Sequence, residues 1–184
     1  LSIRRQRQMC IRDRVVIALG AWAVYLIARW QFGNRESGIG ESGERALAVA
    51  LAAAYLLYPA LESANAFDFH AVALAPTFFL FALYFLERER WGAYTLLALL
   101  TMSCKEDMPL LVAMLGLYAL LVRRRWVVGL ATMGVAAAWF LIAVGWVMPQ
   151  FDAEGVSPLA NRYSYLGDTP LEIVATMVTR PGLV

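Results

Sequence analysis

Charge is what this sequence has least of. Only 16% of its residues are Asp, Glu, Lys or Arg and 61% are apolar, whereas a soluble domain is about a quarter charged and about half apolar. Histidine is nearly absent: His70 is the only one, and Cys10 and Cys104 are the only cysteines. Two thiols so far apart form neither a zinc nor a redox spacing. Cys104, at the end of an apolar run, reads as a small packing residue. No Lys/Arg patch is interleaved with aromatics, so nothing points to nucleic acid. The glycine-rich stretch 33–44, "GNRESGIGESGE", is read as a flexible linker without a phosphate-binding pattern. No small-residue cleavage site follows the apolar run 15–30, which therefore does not read as a signal peptide. Alternating apolar and polar residues are missing too, which excludes barrel strands. No internal repeat is visible.

What is present is a series of blocks without charge: 46–61, 71–86, 91–104, 108–122 and 126–151. A spanning helix needs about 17–25 mostly apolar residues. The segment 126–148 meets that alone, and the others reach it by borrowing polar residues at their ends. Five such blocks in series, joined by short charged turns, exceed what one soluble core can bury. The expected fold is all-α: a polytopic integral membrane helical bundle of about six transmembrane helices, at about 15–30, 46–64, 70–87, 91–105, 108–122 and 126–148. Residues 149–184 read as an outer loop and the start of a further helix.

Alternation divides the connections into two faces. One holds 31–45, the turn "ERER" (87–90) and "RRR" (123–125); the other holds "NAFDFH" (65–70), "CKED" (104–107) and the tail after Pro149. The first face carries Arg29, Arg35, Arg45, Arg88, Arg90 and Arg123 to Arg125, the second only Lys105, Arg162 and Arg180. Basic residues collect on the cytoplasmic side. The expected location is therefore the cell membrane, with 31–45, 87–90 and 123–125 cytoplasmic. The inner charges are read as purely topological, and the tryptophans as interfacial or packing residues.

The start breaks the pattern. "RRQRQMCIRDR" (4–14) would place five arginines on the outer face. It resembles translated sequencing-adapter read-through, so residues 1–14 are expected to be a non-native or disordered basic segment. The chain is expected to be a fragment of a longer protein, with sequence missing at both ends.

Two outer clusters carry the chemistry. Pro59 would end or kink the second helix, Asp68 would cap the third, and Pro76 would bend it about two turns in. Two prolines flanking Asp68 and His70 hint at a cavity, because broken helices free backbone groups that protein or water must satisfy. Asp68 in the turn before the helix would orient the imidazole of His70, as in acid–base pairs. One histidine among scattered carboxylates is a weak metal signal, and a divalent metal at Asp68 and His70 stays open. In "TMSCKEDMPLL", Lys105, Glu106 and Asp107 separate two apolar runs. Asp107 would cap the next helix, Pro109 would occupy its first turn, and Lys105 would snorkel to the headgroups. That bland account leaves Glu106 unexplained, and charges at this depth usually face a partner or a water-filled space.

The stretches "LLYPALESANAFDFHAVALAPTFFLFALYFLERERW" and "LLTMSCKEDMPLLVAMLGLYALLVRRRW" resemble a large prokaryotic family of predicted multi-pass membrane proteins of unknown function, grouped with the C-type glycosyltransferase superfamily. Tyr58 and Pro59, the "FDFH" element 67–70 and the "KED" element 105–107 carry the match. The resemblance implies a polytopic enzyme that takes a sugar from a polyprenyl-phosphate carrier at the outer face. An acidic residue of the first outer loop would act as base or metal ligand, and basic residues would hold the lipid phosphate. That loop is expected to lie upstream of the fragment. Asp68 and His70 are then the catalytic candidates within this chain. Lys105, Glu106 and Asp107 are the candidates for binding substrate or phosphate. The expected partners are the lipid bilayer and a polyprenyl-phosphate sugar. Two rival readings stay open: a transporter or flippase for a lipid or small anion, and a structural membrane protein whose clusters are only helix caps.

Overall fold

The computed structural model of the chain describes residues 2–33, 40–59 and 71–151, together with 176 and 179. Among the described residues there are six main helices and no strand. They are α1 (Ser2–Gly33), α2 (Glu41–Leu56), α3 (Ala75–Glu87), α4 (Trp91–Met102), α5 (Met108–Leu121) and α6 (Trp126–Ile142). A 3-10 turn, Ala71–Leu74, leads into α3, and α6 continues through a π-helical stretch, Ala143–Val147, into a last turn, Met148–Phe151. Packing follows chain order: α1 against α2, α3 against α4 and α5 against α6, with α1 also packed on α3.

Local sequence explains most ends. α2 opens with Glu41 and Glu44 in its first turn, where negative charge complements the helix dipole, and Arg45 pairs with Glu41 one turn away. It closes at Leu56, so Tyr58, before Pro59, lies outside it, as the bias against helix ahead of proline requires. Pro76 does not bend a helix two turns in; it sits in the first turn of α3, just after the 3-10 turn. Pro109 stands in the first turn of α5, where its missing N–H costs nothing. The linker reading of 33–44 needs one correction. Gly38, Gly40 and Gly43 do have the spacing GxGxxG. That fingerprint binds dinucleotides only between a strand and a helix, and here the preceding element is the helix α1.

The two short turns at the α3–α4 and α5–α6 connections share one device. Glu89 and Arg124 adopt positive φ, 55° and 52°. The Arg90 N–H bonds to Phe85 O at 2.9 Å and the Glu89 N–H to Leu86 O at 3.1 Å, the Schellman pattern that satisfies the last carbonyls of a helix. In the second turn the Arg125 N–H reaches back to Ala119 O at 2.9 Å. Glycine usually fills such positions. Here charged residues do, and Arg125 forms an ion pair with Glu89 that ties one turn to the other.

The core is built of small and medium side chains. Ala82, Leu86, Tyr94, Leu115 and Ala119 form one buried cluster, and Ala98, Met102, Val112 and Ala136 another. Gly20 of α1 makes room for α2 and α3: a Cβ there would stand 3.0 Å from the Thr77 hydroxyl and closer still to that of Tyr55. Three buried side chains bond through their hydroxyls to the backbone or to another hydroxyl. Thr77 donates to Val16 O at 2.8 Å, Thr101 to Leu97 O at 2.8 Å, and Tyr94 and Thr132 share a 2.8 Å bond.

Among the described residues two segments are long and apolar enough to cross a bilayer, Val15–Gly33 and Trp126–Val147, with mean hydropathies of 1.5 and 2.2. The second has only 11% of its window buried. Trp126, Val127, Leu130, Leu141 and Trp146 are all exposed on it, apolar side chains of the kind that mark a membrane or protein contact when they adjoin. The helices α3, α4 and α5 are shorter, at 13, 12 and 14 residues. Each extends about 18–21 Å at ~1.5 Å per residue, against a hydrocarbon core of about 30 Å.

Candidate functional site

The α3–α4 and α4–α5 hairpins bring the start of α3 and the turn after α4 to one end of the bundle. Asp68 and His70 lie outside the described residues; Ala71, the next in sequence, begins the 3-10 turn at this end. The turn itself is described in full. Thr101, Ser103 and Cys104 each bond a carbonyl four residues back, Ser103 to Leu99 O at 2.9 Å and Cys104 to Leu100 O at 3.3 Å. Leu99 O also accepts the Ser103 N–H at 3.0 Å, and Cys104 supplies a donor to Leu100 O, one of the carbonyls that a helix end leaves open. Cys104 is half-buried at the end of α4 with its Sγ on Leu100 O, the setting of a packing group.

Lys105, the only lysine of the chain, donates from Nζ to Asp107 Oδ2 at 2.9 Å. Asp107 occupies the N-cap position of α5 but makes no side-chain capping bond. The capping expected of it is thus replaced by the pair with Lys105. Its other oxygen, Oδ1, is buried and makes no hydrogen bond among the described residues. Both partners are partly open to the surroundings, at 42% and 45% side-chain exposure, and exposed pairs of this kind contribute only about 0–1 kcal/mol. Stability is therefore a weak reason for a lysine and a carboxylate to be held side by side here. Among the described residues no three His, Cys, Asp or Glu side chains come together to hold a metal ion.

The opposite end holds a cluster that reading "ERER" and "RRR" as topology alone had missed. Glu87 is only 3% exposed. Its Oε1 accepts the Tyr118 hydroxyl at 2.7 Å, its Oε2 accepts Gln31 Nε2 at 3.2 Å, and Arg123 Nε lies 3.5 Å from Oε1. One carboxylate thereby joins α1, α3, α5 and the turn after α5. Beside it, the Arg88 guanidinium stacks over Trp30, 4.5 Å from the ring centroid, a cation–π contact. A signal was available: Glu87 lies one helical turn beyond Leu83, on the apolar stripe of α3.

Two cavities border these elements. One, about 250 Å³, lies between α4, α5 and α6 and runs from Trp91 past Tyr94 and Ala98 to Met102, next to the Lys105 turn. The other, about 280 Å³, lies between α1, α3 and α5 beside Glu87.

Helices without strands among the described residues, and a 22-residue apolar segment with only 11% of its window buried, fit a membrane protein in class. The family comparison agrees: the chain belongs to the family described as "Predicted membrane protein (DUF2079)", whose sequence model matches residues 8–184. This family is of unknown function, and the match begins inside the segment 1–14. No curated protein matches the chain, and no solved structure does.

Proposed function

We propose that this chain is part of a polytopic membrane enzyme that transfers a sugar from a polyprenyl-phosphate carrier at the outer face of the membrane. All six helices cross or enter the bilayer, with the short α3, α4 and α5 completed at their ends by the polar turns. The positive-inside bias puts the arginine-rich turns in the cytoplasm and the Lys105 turn outside.

The observation that carries the reading is the Lys105–Asp107 pair, 2.9 Å apart in a partly open turn between two apolar helices. In the reaction an acceptor hydroxyl attacks the anomeric carbon, the bond from that carbon to the phosphate oxygen breaks, and polyprenyl phosphate leaves. A carboxylate takes the hydroxyl proton; Asp68, oriented by His70, is assigned that role. The leaving phosphate gains charge and needs a fixed cation; Lys105 is assigned that one. Asp107 aims the ammonium, and Glu106 flanks it. The cavity that ends at Met102 is apolar and suits the prenyl chain of the carrier.

A transporter would hold its charges near mid-depth on broken helices. Among the described residues from Val15 on, the charged side chains lie near helix ends and in turns, which favours an enzyme. The test is turnover of a panel of polyprenyl-phosphate sugars by the full-length protein in membranes. Wild type consumes a donor, and Asp68→Asn and Lys105→Ala lose consumption while still inserting. Full activity in both variants would return the two clusters to helix caps.

A further inference from the structure

The cavity beside Glu87 is separate from the outer turn and asks for a ligand of its own. Its walls are apolar, including Phe79, Leu83 and Met114, and its polar end is formed by Gln31, Glu87 and Tyr118. At about 280 Å³ it stands at the lower edge of the range of small-ligand pockets, ~300–1,000 Å³. Met114, 60% exposed, marks a mouth that opens sideways from the bundle, where acyl chains would lie.

The polar end selects the chemistry. An ionised carboxylate accepts at about four lone-pair sites and donates at none. Glu87 has three donors, and they hold it unequally. Tyr118 is close at 2.7 Å; Gln31 is at 3.2 Å and Arg123 at 3.5 Å, both at or past the long end of hydrogen-bond distances. The carboxylate therefore has room for one more donor, or for one that displaces the Gln31 amide. A cation is disfavoured because Arg123 already balances the charge and Arg88 and Arg125 stand in the adjoining turns. An anion is excluded by the carboxylate itself.

We propose that this cavity binds a neutral, hydroxyl-bearing lipid, with the hydroxyl donated to Glu87 and the chain leaving past Met114. Gln31 and Tyr118 position the carboxylate. The site sits at the end of the bundle opposite Lys105 and stands whether or not the outer turn is catalytic.

The experiment uses the full chain in nanodiscs and a dodecan-1-ol carrying a photoreactive diazirine, with its methyl ether as the probe lacking a donor. The alcohol is expected to label the peptide containing Met114 and excess dodecan-1-ol to suppress that label; the hydrogen bond to a charged acceptor that the ether lacks is worth about tenfold or more. The ether is expected to label at least about tenfold less. Glu87→Gln is expected to weaken labelling, and Met114→Trp, which plugs the mouth without touching the polar network, to abolish it at an unchanged melting temperature. Equal labelling by alcohol and ether would overturn the proposal, as would stronger competition by dodecylammonium than by the alcohol, or undiminished labelling of Met114→Trp on the cavity's other walls.

Discussion

Gly116 of α5 and Gly129 of α6 pack backbone against backbone: a Cβ on Gly116 would stand 2.9 Å from the Gly129 carbonyl oxygen, and one on Gly129 would stand 2.8 Å from that of Gly116. Small residues at the crossing let two helices approach closely where no hydrophobic effect drives them together, as membrane helix pairs require. The contact joins the exposed helix α6 to the rest of the bundle.

Gly116→Ala and Gly129→Ala should each destabilise the protein by about 1–3 kcal/mol, the usual cost of overpacking, because backbone atoms that cannot turn aside are among those in the way. Gly134 has no atom within 4 Å of the position a Cβ would take. Gly134→Ala should therefore be neutral or stabilising by up to about 1 kcal/mol through helix propensity. Thermal unfolding of the three variants in one detergent separates the two behaviours.

At the inner end, Tyr118→Phe should cost about 1.5–3 kcal/mol, since it removes a hydrogen bond to a charged, buried acceptor. Glu87→Gln should cost a similar amount, and the double variant less than the sum, because both remove the same bond. A double-mutant cycle on unfolding midpoints checks this. Additive losses would mean that the two side chains act independently.

Arg124 holds a positive φ of 52°, a conformation that costs an ordinary residue about 1–2 kcal/mol and glycine almost nothing. Arg124→Gly should raise the unfolding midpoint. Glu89→Gly relieves the same strain at φ 55° but gives up the ion pair with Arg125, worth about 0–1 kcal/mol, so it should gain less. The comparison reads the worth of that turn-to-turn pair directly.

The general design was legible in the sequence, and the reasons are physical. Apolar blocks between charged turns announce helices, and proline marks their first turns, as Pro109 does in α5. Pro76 misled because a 3-10 turn, not an α-helix, precedes it; periodicity does not separate the two over four residues. Asp107 has the residue type and position of a cap, yet a lysine two residues earlier competes for its carboxylate. Glu87 was hidden by its neighbours. In "ERER" all four residues read as solvated charge; the position of Glu87 one turn beyond Leu83 hints that the first is buried, and the packing of α1 and α5 shows which groups hold it. The Gly116–Gly129 contact was equally out of reach, since the register of α5 against α6 is a tertiary property. The outer site is legible only as a set of residue types: Lys105 and Asp107 are brought together, Glu106 stands beside them in the same turn, and Asp68 and His70 fall outside the described residues.

Lys105→Ala should leave stability within about 1 kcal/mol of wild type, because it removes a partly exposed pair. Its loss of activity, if the turn holds a phosphate, is then not a folding effect. Unfolding midpoint and donor turnover, measured on the same preparation, distinguish the two.

The most direct test of the account uses the fact that the chain has one lysine. Intact cells making the full-length protein are treated with a membrane-impermeant amine reagent, and the peptide containing Lys105 is quantified with Lys105→Arg as the blank. The account predicts labelling from outside that added polyprenyl phosphate suppresses. Labelling that appears only after the membrane is permeabilised, or that the carrier lipid leaves unchanged, would contradict it.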